Sequence, residues 1–353
     1  MKSLYVCRKV TGMSLERLGW SSHFEGEFAR VDETGMEPAR VALADRQRFV
    51  VWTGSGEAEA TVSGRLRHRS EDWPVVGDWV ALEQGCRIAH VVPRRTAFSR
   101  KQPGVVTREQ VIAANVDALF VVCGLDGDFN LRRIERYLLL AWESGARPIV
   151  VLNKADVCMD VAGAADRATE IASGTPVVTI SAHEGWGLPS LEAHLHPGLT
   201  VAFAGSSGAG KSTLVNRLLG REQQLVREVR AGDSRGRHTT VRRELFLAPS
   251  GCLLIDTPGL RELQLWGSSE SADAAFSDIA TLAAGCRFRD CRHQGEPGCA
   301  VAAAGIDEAR LANYAKLQRE LAHLDRKLDQ RTAQDEKRRI KRIHRAMRRH
   351  YRD

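Results

Sequence analysis

Residues 205–212 read GSSGAGKS, and this short stretch decides the fold of the domain that contains it. An apolar run, TVAFA at 200–204, directly precedes it, and a segment with helical spacing follows it as far as Leu219. A strand, a glycine-rich loop and a helix in this order form a phosphate-binding loop, because backbone N–H groups and the helix N-terminus converge on phosphate oxygens. A chance glycine-rich turn would lack this context. The stretch therefore predicts a nucleotide-binding domain.

Each residue type in the loop has an expected task. Lys211 should reach the β- and γ-phosphates, Ser212 should ligate Mg²⁺ through its hydroxyl, and Thr213 should contact the α-phosphate. The other residues should present backbone N–H groups to the phosphates. The predicted phosphate-binding residues are Gly205, Ser206, Ser207, Gly208, Ala209, Gly210, Lys211, Ser212 and Thr213.

A second motif indicates which base the nucleotide carries. The quartet NKAD at 153–156 follows the apolar run PIVVL, which places it at the carboxyl edge of a sheet, where ligands bind. The Asp156 carboxylate can accept from guanine N1–H and from the exocyclic amino group, whereas adenine offers no such pair of donors. Asn153 should brace the loop, and the stem of Lys154 should cover the base plane. Alone the quartet fits a surface turn, but beside a phosphate-binding loop it favours GTP.

A third segment completes the expected base pocket. It follows the run VVTI at 177–180, and its residues Ser181 and Ala182 fit a loop whose backbone N–H meets guanine O6. The predicted base-binding residues are Asn153, Lys154, Ala155, Asp156, Ser181 and Ala182.

Two further segments are expected at the metal and the γ-phosphate. In DTPG at 256–259, Asp256 should approach Mg²⁺ through water, and Gly259 should offer its N–H to the γ-phosphate. In GRHTT at 236–240, one threonine should close over Mg²⁺ in the triphosphate state. We favour Thr239, although Thr240 has the same chemistry.

The residue after DTPG bears on the rate of hydrolysis. Leu260 occupies the place where many GTPases carry a glutamine that orients the attacking water, and an isobutyl group cannot orient water. We therefore expect slow intrinsic hydrolysis, and His238 is the nearest substitute group. The predicted catalytic residues are Lys211, Ser212, His238, Thr239, Thr240, Asp256 and Gly259.

The order of these motifs is unusual. The base-reading segments precede the phosphate-binding loop, whereas an ordinary GTPase has the reverse order. Apolar strands alternate with helical segments between Asp117 and Ile255, a pattern typical of a mostly parallel sheet covered on both faces. We therefore expect a circularly permuted P-loop GTPase domain of the α/β class over residues 112–265.

The N-terminal region, residues 1–93, has a different pattern. Short alternating runs punctuated by glycines predict an OB-like β-barrel over about 30–93. The predicted strands are Phe49–Thr53, Thr61–Leu66, Asp78–Leu82 and Arg87–Val92. Basic residues from Arg65 to Arg69 precede Trp73, which fits either a nucleic-acid-binding face or an exposed basic hairpin with one core tryptophan. The polar segment 94–111 is predicted to be a linker.

A metal-binding pattern lies in the third region. Cys286, Cys291, His293 and Cys299 have the spacing C-x4-C-x-H-x5-C, which suits one closed tetrahedral Zn²⁺ site with a structural role. Apolar residues recur at helical spacing after an expected N-cap at Asp307. We predict an α-helical zinc-binding domain over residues 266–325.

Charge and composition bound the remaining possibilities. The net charge is +7, and residues 326–353 carry 12 lysines and arginines against 4 acidic residues. This basic C-terminal helix or tail favours a polyanionic partner, although a solvated solubility tail has the same composition. Hydrophobic residues make up 43% of the chain, and no run approaches the roughly 18 apolar residues of a spanning helix. We expect a cytoplasmic monomer without a membrane partner.

The permuted motifs, together with CRFRDCRHQGEPGC at 286–299, resemble the RsgA (YjeQ/YloQ) family of small ribosomal subunit biogenesis GTPases. The resemblance covers nearly the whole chain. It implies a GTP hydrolase that is stimulated by the 30S subunit and acts late in its assembly through GTP-controlled binding to 16S rRNA, with contacts from the barrel and the zinc domain. Two other functions fit the motifs: an RNA-binding module that hydrolysis only resets, and a zinc-finger regulator of DNA.

Overall fold

The computed structural model describes residues 14–31, 35–45, 48–67, 73–101, 109–172, 174–220, 243–256, 276–323 and 326. The chain divides into two compact units, Met1–Gln264 and Leu265–Asp353. The first unit contains the barrel and the nucleotide-binding sheet, and the second contains the cysteine and histidine cluster. Among the described residues, no helix is both long and apolar enough to cross a bilayer.

The N-terminal barrel has five strands. They are β1 (Glu37–Asp45), β2 (Arg48–Thr53), β3 (Gly56–Val62), β4 (Trp79–Glu83) and β5 (Arg87–Val91). The barrel closes because each strand pairs with two others. β1 pairs with β2 and β4, β3 pairs with β2 and β5, and β4 pairs with β5. A helix, α1 (Ser22–Val31), precedes it, and a short α2 (Gly64–Arg67) follows β3. The alternating pattern thus correctly predicted a small, mostly antiparallel barrel, in which only the β3–β5 pair is parallel, and the structure adds that its interior is apolar.

The first strand, β1, was not among the predicted strands, and one predicted strand is shorter than expected. The strand predicted over Thr61–Leu66 ends at Val62, because the Ser63 hydroxyl accepts from Leu66 N over 3.2 Å and starts α2. Trp73 is half-buried and packs against the barrel core, with its ring centroid 6.1 Å from that of Phe49. This contact favours the core-tryptophan alternative for Trp73. Residues 68–72, including the basic His68 and Arg69, lie outside the described part of the chain.

The segment predicted as a linker contains secondary structure. Strands β6 (Ala97–Lys101) and β7 (Glu109–Ala114) pair antiparallel in a separate two-stranded sheet. The sequence of β6 is AFSRK, and its polar composition gave no alternating hydrophobic pattern from which a strand could be predicted.

The nucleotide-binding sheet is mostly parallel, as predicted. Its strands are β8 (Ala118–Gly124), β9 (Arg147–Asn153), β10 (Val177–Thr179), β11 (Thr200–Ala204), β12 (Glu244–Leu247) and β13 (Leu253–Asp256). They lie in the order β10-β9-β8-β11-β13-β12, and only the β12–β13 pair is antiparallel. The helices are α3 (Leu131–Ser144), α4 (Val161–Ile171), α5 (Leu188–Glu192) and α6 (Lys211–Leu219).

The barrel joins this sheet through strand pairing and through one buried arginine. Leu43 of β1 pairs with Glu244 of β12, so the two sheets are continuous. Arg40 of β1 is 1% exposed, and burial lowers its pKa to about 9, so it remains protonated at pH 7. Its guanidinium donates to three carbonyls and one hydroxyl from separate segments: Leu18 O, Gly77 O, Asn115 O and Thr200 Oγ1.

We predict that Arg40→Met destabilises the first unit by about 3 kcal/mol, because it leaves buried acceptors without their donor. Denaturant unfolding of the full chain measures this as a lower transition midpoint. Arg48→Met removes an exposed arginine from β2 and serves as the control. Equal midpoints for the two variants would contradict the role assigned to Arg40.

The second unit is helical. It contains α7 (Ser277–Ala283), α8 (Ala300–Ala303) and α9 (308–323). The Asp307 carboxylate accepts from Arg310 N over 3.0 Å, which confirms the predicted N-cap of α9. Arg310 also donates to Asp278 of α7, and the Tyr314 ring lies 5.2 Å from that of Phe276. The basic segment 326–353 is described only at Arg326, so the helix predicted there lies outside the described residues.

Candidate nucleotide site and metal centre

The phosphate-binding loop connects the end of β11 at Ala204 to the start of α6 at Lys211. The backbone of Gly205 has φ +141° and that of Gly210 has φ +92°, both in the region that favours glycine. A Cβ at Gly205 would lie 2.1 Å from Val122 O, and a Cβ at Gly210 would lie 2.2 Å from Asn153 Nδ2. Both positions therefore require glycine, because the loop passes directly against its neighbours.

The Lys211 side chain folds over this loop. Its ammonium donates to Gly205 O over 2.7 Å and also to Ser206 O. The positive charge therefore lies beside the backbone that precedes α6, close to the helix N-terminus. A cation and a helix N-terminus at one place form an anion-binding arrangement, which suits the phosphate chain of a nucleotide.

Asn153 connects the base-reading segments to the phosphate-binding loop. It is 2% exposed at the end of β9. Its Nδ2 donates to Ala209 O over 2.9 Å, and its Oδ1 accepts from Ala182 N over 2.9 Å. One buried amide thus links three loops that are distant in sequence, at the carboxyl edge of the sheet where the prediction placed them.

A cavity of about 510 Å³ lies between these loops. The Asp156 Oδ1 atom is buried and has no hydrogen-bond partner among the described residues. An unpaired buried carboxylate oxygen costs free energy unless a ligand supplies the donor, and guanine supplies two. The cavity is lined by Asp126, Asn153, Lys154, Asp156, Val157, Ser181, Ala182, His183, Gly210 and Thr213.

The loop after β10 is held rigidly. The Ser181 hydroxyl accepts from Glu184 N over 3.1 Å, and Arg217 of α6 donates to Ala182 O over 3.2 Å. The Ala182 N–H donates to Asn153 Oδ1 over 2.9 Å, which ties this loop to the end of β9. His183 is the next residue along the loop and lines the same cavity.

Several predicted residues lie outside the described part of the chain. They are His238, Thr239, Thr240, Gly259 and Leu260. For Asp256 only the backbone is described: it ends β13, one residue after Ile255, which pairs with Ala202 of β11. The strand therefore carries Asp256 to the same edge of the sheet as the phosphate-binding loop.

Two aspartates that lie beside the nucleotide site were missed by the sequence analysis. Asp126 pairs with the Lys154 ammonium, and Asp128 accepts from the Ser206 hydroxyl. Both belong to the segment LDGDFN, which directly follows β8. The signal that could have found them is their position after an apolar strand of a parallel sheet, where ligand-contacting loops begin.

The cysteine and histidine cluster brings its four predicted ligands together. The ligand atoms of Cys286, Cys291, His293 and Cys299 all lie within 4.8 Å of one another. The Cys286 and Cys299 sulfurs are 3.9 Å apart, and they lie 3.6 and 3.5 Å from His293 Nδ1. Zinc bonds of about 2.3 Å to sulfur and 2.0–2.1 Å to nitrogen in a tetrahedron require separations close to these. The cluster could therefore hold one zinc ion.

Comparisons with known proteins agree with this geometry. The family model described as RsgA GTPase matches residues 91–266, and one described as 50S ribosome-binding GTPase matches residues 200–340. A small ribosomal subunit biogenesis GTPase RsgA from Opitutus terrae is 49% identical to this chain. The alignment covers 95% of this chain and 97% of the Opitutus protein. The protein of the same name from Syntrophotalea carbinolica is 46% identical, covering 88% and 90%.

Two solved structures share the fold. The crystal structure of YjeQ from Thermotoga maritima superposes with a TM-score of 0.63 at 25% identity, covering 82% of this chain and 99% of its own. YloQ, a circularly permuted GTPase, superposes with a TM-score of 0.60 at 23% identity, covering 83% and 97%.

The fold, the order of its loops and the nucleotide site define a circularly permuted P-loop GTPase, an enzyme that hydrolyses GTP. Such an enzyme uses Mg²⁺ together with GTP. The chain belongs to the RsgA GTPase family.

Proposed function

We propose that this GTPase acts in late assembly of the 30S ribosomal subunit, is stimulated by that subunit and binds 16S rRNA under the control of GTP. The names of its curated relatives support the ribosomal role. The observation that carries the nucleotide chemistry is the Asn153 bridge, because it joins the base-reading loops to the phosphate-binding loop in one site.

In this proposal the cavity receives guanine. The Asp156 carboxylate accepts from N1–H and the exocyclic amino group, and the unpaired buried Oδ1 supports this role. Lys154 covers the base plane, and the loop at Ser181 and Ala182 lines another part of the cavity. Ala155 is the remaining proposed base-binding residue, between Lys154 and Asp156 in the chain. The phosphates then lie over residues 205–213, where Lys211 neutralises their charge.

When bound, Mg²⁺ would supply positive charge next to the β- and γ-phosphates. The hydroxyls of Ser212 and Thr239 and, through water, the carboxylate of Asp256 are its proposed ligands. Gly259 is the proposed N–H donor to the γ-phosphate. Because the side chain of Leu260 cannot orient the attacking water, another group has to do so. We assign this role to His238.

This assignment predicts a separation of binding from chemistry. His238→Ala should lower the stimulated kcat by about a hundredfold and leave the Kd for GTP nearly unchanged, because the imidazole acts on water rather than on the ground-state nucleotide. Ser212→Ala should instead weaken Mg²⁺-dependent nucleotide binding as well as turnover. Steady-state kinetics with the 30S subunit and equilibrium GTP titrations measure both. A normal stimulated rate in the His238 variant would contradict the assignment.

We assign one zinc ion with a structural role to the cluster at 286–299. Four protein ligands fill a tetrahedral site and leave no position for a substrate or a reactive water. A bound zinc ion would join Cys286, Cys291, His293 and Cys299 across a segment that is otherwise rich in polar residues. Thiolate ligands and a histidine are the donor set that zinc prefers.

The domain boundaries in this proposal are 1–93 for the barrel region, 112–265 for the GTPase, 266–325 for the zinc unit and 326–353 for the basic segment. The barrel and the zinc unit contact rRNA, and the basic segment adds sequence-independent attraction to phosphates. We further propose a cytoplasmic monomer, since the 30S subunit rather than a second copy completes its function.

The experiment that tests the proposal measures association with purified ribosomal subunits. We expect tighter binding to 30S with a non-hydrolysable GTP analogue than with GDP, and weaker binding to 50S in either state. Equal affinity for 30S with the GTP analogue and with GDP would contradict control by GTP. Equal binding to duplex DNA would instead favour the DNA-regulator alternative.

A further inference from the structure

The loop between β8 and α3, residues 125–130, lies against the nucleotide site. Its backbone is tied to the base-reading segment, because Leu125 N donates to Asn153 O over 2.8 Å. One residue further along each segment, the Lys154 ammonium donates to the Asp126 carboxylate. The two segments therefore run side by side, joined first by a backbone hydrogen bond and then by an ion pair.

The ion pair restricts the side chain of Lys154, a residue that also has an unusual backbone conformation. Its φ of +66° and ψ of +38° lie in the left-handed region, which few residues other than glycine adopt. Its four-carbon side chain has many rotamers, and selecting one costs conformational entropy. The Asp126 carboxylate fixes the charged end, and both residues line the cavity of about 510 Å³. The stem of Lys154 is thus restricted before any base enters.

The surrounding loop holds Asp126 in place. A Cβ at Gly124 would lie 2.6 Å from Asp126 Oδ1, so the glycine leaves room for the carboxylate. In the same loop the Asp128 carboxylate accepts from the Ser206 hydroxyl and from Arg133 of α3. One short loop therefore contacts both the base-reading segment and the phosphate-binding loop.

We propose that Asp126 is a positioning residue for the guanine nucleotide, which holds the Lys154 side chain against the base plane. The inference rests on the proposed role of Lys154 at the base. Because Lys154 faces the base rather than the γ-phosphate, loss of Asp126 should weaken GTP and GDP by the same factor. The kcat at saturating GTP should not change, since the contact is equal in the ground and transition states.

The test is a double-mutant cycle on the full chain, with fluorescently labelled GDP as the probe. Asp126→Asn should raise the Kd about threefold to fivefold, the scale of a partly exposed ion pair. In a Lys154→Met background the same substitution should change the Kd by less than about 1.5-fold, because its partner is already gone. Asp166→Asn makes the same chemical change on an exposed position of α4 and should have no effect.

Asp126→Ala is a second variant for the same cycle. In the Lys154→Met background it should also leave the Kd for GDP unchanged. Additive effects in the cycle, or a loss of GTP affinity without a loss of GDP affinity, would overturn the proposal. The wild-type titration separates this inference from the proposed function. A wild-type chain that binds no GDP would contradict the GTP site itself, whereas tight binding with an additive cycle would contradict only the role of Asp126.

Discussion

Asp156→Asn is expected to weaken GTP binding by about a hundredfold, the largest single-residue effect in the base pocket. The carboxylate would accept two charge-assisted hydrogen bonds from guanine, and an amide can accept only one of them. Its NH₂ group would also face the exocyclic amino group of guanine, donor against donor. Equilibrium titration with GTP and GDP measures the loss.

The same variant should gain affinity for xanthosine nucleotides. Xanthine carries a 2-oxo group where guanine carries the amino group, so the new amide can donate to it while still accepting from N1–H. Asp166→Asn is the matched control and should keep guanine preference. Unchanged GTP affinity in Asp156→Asn would remove the assignment of the base pocket.

Removal of one zinc ligand should have the second large effect. Cys291→Ala is expected to release the metal and unfold the segment between Cys286 and Cys299. In a small metal-dependent segment the free energy of metal binding, on the order of 10 kcal/mol, is also the free energy that stabilises the fold. Metal analysis should give one zinc per wild-type chain and none in the variant. Association with 30S should fall, while GTP binding should persist, since Asn153 and Lys211 lie in the first unit.

Cys86→Ala is the control for this experiment, because it removes a half-buried thiol of the first unit. It should retain both zinc and 30S association. A wild-type chain without zinc would contradict the metal assignment, and loss of GTP binding in Cys291→Ala would contradict the independence of the nucleotide site.

Local patterns predicted the elements around the nucleotide site well. Helix α3 (Leu131–Ser144) is one of the helical segments expected between Asp117 and Ile255, and adjacent residues fix its ends: Asn130 caps its start and Gly145 ends it in a left-handed conformation. The helix predicted to follow the glycine-rich loop begins at Lys211 and ends at Leu219, as expected. In each case the signal lies in adjacent residues. The base-reading loops were predictable for the same reason, since each follows an apolar strand.

The features that escaped prediction depend on distant residues. Strand β1 contains Arg40, a charge that breaks the alternating pattern and is buried only because Leu18, Gly77 and Asn115 supply carbonyls. The ion pair between Asp126 and Lys154 joins residues from two different strand ends. No local pattern encodes such contacts, because they exist only once the sheet has formed.

GTP turnover with and without the 30S subunit tests the central proposal most directly. We expect slow hydrolysis by the chain alone, because Leu260 cannot orient water, and stimulation by 30S of roughly a hundredfold or more. The 50S subunit and duplex DNA should give no comparable stimulation. A rate that 30S leaves unchanged, or that 50S or DNA raises equally, would contradict a GTPase dedicated to the small ribosomal subunit.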